Sequence, residues 1–211
     1  MTRVPSSART FVLLAAATAT FAGCQKTETS AGKPTPVYDN QTGKLKELLS
    51  DRNGDGRAEV RAIMDGTRLQ QIEIDRNGDG KPDRWEYYDS SAGATVDAAK
   101  ARIVRAEESS RADGQVTRRE FFVNGVVDHV EDDTNADGRT DKWEQYADGV
   151  LAHVDLDLAD RGFATRRLVY GANGSVERVE EDPEGDGTFE PVKPQAPQGG
   201  RGIAGNAGSS R

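Results

Sequence analysis

The sequence predicts an all-β protein: a repetitive antiparallel meander of β-hairpins in a single twisted open sheet, with acidic loops along one end. Three observations predict it. The glycines of DG-like turns recur at 56, 80, 114, 138, 162 and 187, in steps of 24, 34, 24, 24 and 25 residues. Such a period marks one supersecondary unit used repeatedly. The apolar segments between turns are short, none reaching the roughly 10–12 residues a helix needs between breakers. Hydrophobic residues make up only 35% of the chain, which suits an open array better than a sandwich.

Each unit reads as apolar segment, acidic loop, aromatic segment and Gly turn. Leu45, Leu69, Ile103, Val127, Leu151 and Val176 lie six residues before the loop starts, and Leu48, Ile72, Ala106, Val130, Val154 and Val179 lie three before. Met64, Tyr88, Phe122, Tyr146 and Tyr170 follow the first five glycines by eight residues. Segments such as RREFFV and RWEYY suit strands, and the Asn-Gly and Asp-Gly turns between them suit hairpins. A spacing of three does not fit the alternation of a flat strand, so a β-bulge or a sharply twisted strand end is expected. Two strands per unit give about eleven strands between Tyr38 and Pro191. The β-repeat domain is expected over 38–192, in about six units. An insertion at 89–101 accounts for the one long step.

The ends of the chain read differently. Residues 1–23 have the form of an export signal: Arg3 and Arg9, the apolar run FVLLAAATATFA, then small residues. The run is short for a membrane span, which needs about 20 apolar residues. Phe21-Ala22-Gly23-Cys24 resembles the bacterial lipobox, with Phe21 where that motif usually has Leu. The resemblance implies cleavage before Cys24 and lipid attachment to it, hence a membrane anchor. Cys24 is the only cysteine, so no intramolecular disulfide can form. Residues 24–37 read as a flexible tether, and 193–211 as a disordered tail. Gln25, in place of the Asp that resembles an inner-membrane retention signal, points to the outer membrane of the cell envelope.

The chain is acidic. Removing residues 1–23, with two arginines and no acid, takes the 28 basic residues to 26 against 36 acids, a formal charge of −10. That argues against nucleic acid and anionic lipid surfaces as partners and suits cations.

The loops carry the chemistry. In DRNGDGKPDRWE the numbered positions are Asp75 (1), Asn77 (3), Asp79 (5), Gly80 (6), Lys81 (7), Asp83 (9) and Glu86 (12). DTNADGRTDKWE gives Asp133, Asn135, Asp137, Gly138, Arg139, Asp141 and Glu144 in the same order. Alternate side chains of a tightly curled loop converge on one point, the glycine permits the turn, and position 7 offers its carbonyl. Hard oxygen donors of this kind suit Ca²⁺, the expected cofactor. The loops resemble EF-hand calcium loops, and more closely the D-x-[DN]-x-D-G-x-x-D units of thrombospondin type 3 repeats. The resemblance covers two loops of about 12 residues, with no flanking helices visible. In an extended exit strand Glu86 points away from Asp83, leaving position 12 open.

The other loops hold fewer ligands. Asp51, Asn53, Asp55 and Glu59 keep most of the set, with Ala62 at position 12. Asp182, Glu184, Asp186 and Glu190 keep a similar one, with Lys193 there. The loops around Asp113 and Arg161 place arginine at a ligand position. The alternative to calcium is turn chemistry alone, with Asp and Asn making Asx turns.

Position 11 alternates Arg61, Trp85, Arg119, Trp143 and Arg167. If these share a face, arginine can lie over indole and shield it. Otherwise Trp85 and Trp143 form a platform for a glycan or protein partner. His129 and His153 stand 24 apart at one repeat position and read as products of the repeat. No nucleophile–base pair, Cys/His cluster or phosphate loop occurs, so no enzymatic activity is expected.

Overall fold

The computed structural model describes residues 32–89 and 101–192. The signal, Cys24, the tail and the interior of the 89–101 insertion lie outside them. The described residues are all-β: thirteen strands in one open antiparallel sheet, ordered as in the sequence. They are β1 (Thr35–Tyr38), β2 (Leu45–Ser50), β3 (Val60–Asp65), β4 (Arg68–Ile74), β5 (Arg84–Tyr88), β6 (Ile103–Glu108) and β7 (Arg118–Val123), followed by β8 (Val126–Asp132), β9 (Lys142–Ala147), β10 (Val150–Leu156), β11 (Arg166–Tyr170), β12 (Val176–Glu181) and β13 (Glu190–Pro191). Two strands exceed the expected count at the edges. β1 begins inside the segment read as tether, 24–37, and ends at Tyr38, the first residue of the expected domain; Pro34 and Pro36 hide the strand. Pro36 pairs with Leu48 and Pro191 with Glu180; edge strands tolerate proline because one side needs no partner, and proline there blocks further pairing.

A bulge resolves the spacing of three. In six hairpins the register slips by one residue near the turn, as where Ile63 pairs with Gln71 but Met64 pairs with Leu69. The same step separates Tyr87/Tyr88 and Phe121/Phe122 from their partners. The extra residues are Lys46, Gln70, Val104, Asp128, Ala152 and Glu177. Each bulge returns the apolar residue before it to the face of the one three places on. Met64, Leu69, Ile103, Ala106, Val130 and Val154 are thereby the buried apolar side chains of the described residues.

Paired residues share a face, so the register lists each face row by row. On the apolar side one row runs Ile72, Glu86, Ala106, Glu120, Val130, Glu144 and Val154. The next row towards the loops runs Arg84, Glu108, Arg118, Asp132 and Lys142. These charges form a lattice over the small residues. Arg84 reaches Glu86 (3.0 Å), Glu108 (3.1 Å) and Glu120 (3.0 Å). Arg118 reaches Glu120 (3.1 Å) and Asp132 (2.8 Å), with Glu144 at 3.6 Å. Lys142 bridges Asp132 (3.1 Å) and Glu144 (2.5 Å). Ala106 is fully buried and Val130 is 1% exposed, with no second layer over them among the described residues.

The opposite face carries the row Glu73, Trp85, Glu107, Arg119, Glu131, Trp143, Asp155 and Arg167. The position-11 residues do share a face, but no arginine lies over an indole among the described residues. They sit on every second strand, roughly 10 Å apart, and the acids between them take the guanidinium groups. Arg167 pairs with Asp155 at 2.6 and 2.7 Å and lies 4.0 Å over the Phe189 ring. Arg61 stands between Glu47 and Glu73, and Arg105 covers Tyr87 at 4.2 Å.

The lattice makes stability depend on pH. Burial pushes Glu144 upward, but hydrogen bonds from Lys142 and Tyr146 and the charge of Arg118 outweigh it, holding the group below its ordinary 4.5. Burial is likewise outweighed at Glu108, by Arg76 and Arg84. A carboxylate with a lowered folded pKa stabilises the fold above its unfolded value, and that contribution is lost as pH falls through the folded pKa. The urea midpoint should therefore stay level from about pH 7 to pH 5.5 and fall below about pH 5. Lys142→Met should make that fall shallower. A midpoint unchanged at pH 3 would show that the lattice adds nothing.

Candidate metal centre

Six loops close the end of the sheet opposite the bulges, and all share one backbone. Position 4 has positive φ in every loop, from +53° at Asp160 to +78° at Gly54, and position 6 is a glycine at +84° to +92°. These two residues turn successive N–H groups inward, towards the side chain at position 1. Asp75 accepts from Gly78 and Gly80, both at 2.7 Å. Asp51 accepts from Gly54 (2.6 Å) and Gly56 (2.9 Å). Asp133 takes Asp137 and Gly138, and Asp182 takes Gly185, Asp186 and Gly187.

Positions 3 and 5 make shorter turns. Asn77 accepts from the Asp79 N–H (2.9 Å), and Asp79 from the Lys81 N–H (2.8 Å). Asn53 and Asp55 repeat this at Asp55 and Arg57, and Asn135 and Asp137 at Asp137 and Arg139. Position 9 closes the loop from the other side. Glu59 accepts from the Arg52 N–H (2.6 Å) and Asp83 from the Arg76 N–H (2.8 Å). Asp141 takes the Thr134 N–H with both oxygens and the Thr134 hydroxyl at 2.9 Å.

The loop at 51 brings its acids closest. Carboxylate oxygens of Asp51, Asp55 and Glu59 lie within 4.8 Å of one another, a donor set of hard oxygens that suits a divalent cation. In the loop at 75, Asp83 is 2% exposed and its Oδ1 is buried without a hydrogen-bond partner. Each carboxylate oxygen has two acceptor sites, so capping an N–H leaves capacity for an ion.

Position 12 belongs to the sheet face instead. Glu86 is held by Arg84 and by the Tyr88 hydroxyl at 2.7 Å. Glu144 is held by Lys142 and by the Tyr146 hydroxyl at 2.7 Å. Two positions past Arg84 and Lys142 on an extended strand, these side chains meet the lattice.

The loops poor in acids keep the fold with other groups. Ser109 Oγ stands at position 1 and accepts from Asp113 and Gly114, while Thr117 at position 9 accepts from Ser110. Asp157 caps Gly162 at 2.6 Å. Burial opposes its ionisation, but backbone N–H groups from Arg161, Gly162, Ala159 and Phe163 prevail and lower its pKa. Reading positions 1 and 9 by offset from the glycine, without regard to residue type, finds all of these. Scanning for acids alone does not.

Because the backbone is common to all loops, its strain is testable directly. Nothing lies within 4 Å of a Cβ built on Gly80, whose φ is +89°. Gly80→Ala should then cost about 1–2 kcal/mol through the backbone alone. Ala136, at φ +58°, should behave oppositely, with Ala136→Gly raising stability by up to about 1 kcal/mol once the looser unfolded chain is counted. Chemical denaturation measures both, and equal effects at the two sites would contradict the shared geometry. No protein-family profile matches this chain, and no curated protein matches it either.

Proposed function

We propose that the chain is a calcium-binding, lipid-anchored protein of the cell envelope that acts as a structural or interaction scaffold. The observation that carries the reading is the convergence of the Asp51, Asp55 and Glu59 carboxylates within 4.8 Å. The loops at 75 and 133 offer the same kinds of donor: Asp75, Asn77, Asp79 and Asp83, and Asp133, Asn135, Asp137 and Asp141, with the Lys81 and Arg139 carbonyls beside them. Glu86 and Glu144 are left out of this ligand set because the face lattice holds them. A bound cation supplies the positive charge that each cluster of acids lacks, and ties the loop's two ends together. The lipobox-like FAGC sequence supports an anchor at Cys24, and Gln25 favours the outer membrane. The formal charge and the absence of any nucleophile–base pair from the sequence speak against nucleic acid and catalysis.

A second reading, a carbohydrate- or protein-binding module, has one observation in its favour. Trp85 and Trp143 lie in one row of the face opposite the lattice, each between two acidic residues. An aromatic ring with flanking hydrogen-bond acceptors suits the apolar and hydroxyl faces of a sugar. Tryptophan fluorescence that changes with a glycan but not with calcium would favour it over the scaffold.

A ligand that binds only the folded form stabilises it by RT ln(1 + [L]/Kd). With extracellular-type affinities, about 1 mM Ca²⁺ should contribute roughly 0.4–1.4 kcal/mol per loop. Asp79→Ala and Asp137→Ala should each remove one loop's share of the calcium-induced rise in Tm, whereas Asp113→Ala should leave it nearly intact. A Tm that responds to calcium no more than to potassium of equal ionic strength would make the loops turns only.

The anchor is tested separately. Cys24→Ser should abolish incorporation of labelled palmitate and release the protein into the soluble fraction. Unchanged membrane association of that variant would remove the anchor from the proposal.

A further inference from the structure

The loops are not independent. In every neighbouring pair, the N–H of position 1 donates to the carbonyl of position 9 in the loop before it. The bonds are Asp75 to Glu59 (2.8 Å), Ser109 to Asp83 (2.7 Å), Asp133 to Thr117 (2.8 Å), Asp157 to Asp141 (2.8 Å) and Asp182 to Thr165 (3.0 Å). Where Glu59, Asp83, Thr117 or Asp141 stands at position 9, its side chain also caps an N–H of its own loop. One residue therefore holds its own loop by the side chain and the next loop by the backbone.

Arginines add a second strut. Arg76 leaves the loop at 75 for Glu108, at 2.8 Å, the residue just before the loop at 109. Arg111, at position 3 of that loop, donates to the Asn135 carbonyl at 2.9 Å. Arg161 repeats the device, donating to the Pro183 carbonyl at 3.0 Å. Both arginines stand where the acidic loops carry a ligand. Each gives the adjoining loop a tethered positive charge and a hydrogen bond.

The loop at 109 lies between two loops with full ligand sets and has Ser109, Arg111 and Thr117 at positions 1, 3 and 9. It is bonded to both neighbours. On its input side stands Asp83, whose Oδ2 caps Arg76 while Oδ1, beside it on the same carboxylate, is buried without a partner. A cation drawn to that oxygen acts on the residue that also holds Ser109.

We infer that the loops form a relay: a cation held in the loop at 75 orders the metal-free loop at 109 and, through Arg111 and Thr117, the loop at 133. This rests on the calcium reading and adds communication between sites to it. Coupling of this kind needs no change of shape, since a ligand that stiffens one segment lowers the cost of ordering the next.

Hydrogen exchange of the mature chain, with and without calcium chloride, tests it. Asp55→Ala together with Asp137→Ala provides the background, because the two disable the loops at 51 and 133 as sites in their own right. Calcium should slow exchange at 76–81 and, in the same variant, at 110–114 and 134–138. Adding Asp79→Ala should abolish all three effects. Adding Arg111→Gln and Thr117→Val instead should keep the slowing at 76–81 and remove it at 134–138. Arg111 is exposed, so Arg111→Gln alone should give partial loss if the pair unfolds the chain. Slowing confined to 76–81 overturns the relay and leaves calcium binding standing. Slowing at 134–138 that survives both added substitutions also overturns it. No slowing in this background overturns the relay, and no slowing in the unsubstituted chain overturns the calcium reading with it.

Discussion

Among the described residues, backbone N–H groups at the loop end of the sheet have no second layer to receive them, and the position-1 side chain is the answer on which the rest depends. One carboxylate or hydroxyl gathers the amides that positions 4 and 6 turn inward. That requirement explains the glycine at position 6 and the recurrence of Asp or Ser at position 1. It also explains why loops with few acids keep the same curl. Strand ends are thereby fixed at a constant offset, and the sheet can add one hairpin after another without losing register.

Much of this was legible in the sequence because the repeat is regular. Turn glycines gave the hairpins, and the spacing of Leu45 and Leu48 pointed to a bulge or a sharply twisted strand end, of which the bulge is present. Other features were hidden for identifiable reasons. β1 contains Pro36, and proline hides strand character except at an edge. The pairing of Arg61, Arg119 and Arg167 depends on acids from neighbouring strands, which only the cross-strand register brings beside them. Glu86 and Glu144 satisfy a loop pattern in one dimension, yet an extended strand carries them onto the face. Ser109 and Thr117 escape a search for acids because a hydroxyl does the same capping with different chemistry.

The two faces and the loop end divide the work. On the apolar face, long charged side chains lie over Ala106 and Val130 and bond to one another, so aliphatic stems cover what a second layer would otherwise cover. Half-buried, multiply bonded ion pairs of this sort cost more to break than exposed ones, which favours one alignment of the strands over a slipped one. Along the loop end, acids stand close together at full ligand sets, and arginines reach across where those sets are incomplete. Arg111 and Arg161 thus bring positive charge into the row at those loops, amid the acidic excess of the whole chain.

Strictly sequential pairing has a mechanical consequence. β1 and β13 are the two edges of the sheet, so the described chain enters at one border and leaves at the other, roughly 58 Å away along the sheet for twelve steps of about 4.8 Å. Backbone pairing joins each strand only to the strands before and after it, while Arg84 and Arg118 reach one strand further through their side chains. A force applied between the two borders runs across the strands and opens the ladders from the outside inward, a hairpin at a time. Such a sheet yields gradually and can re-form from whatever part remains paired, behaving less like a latch than like a spring.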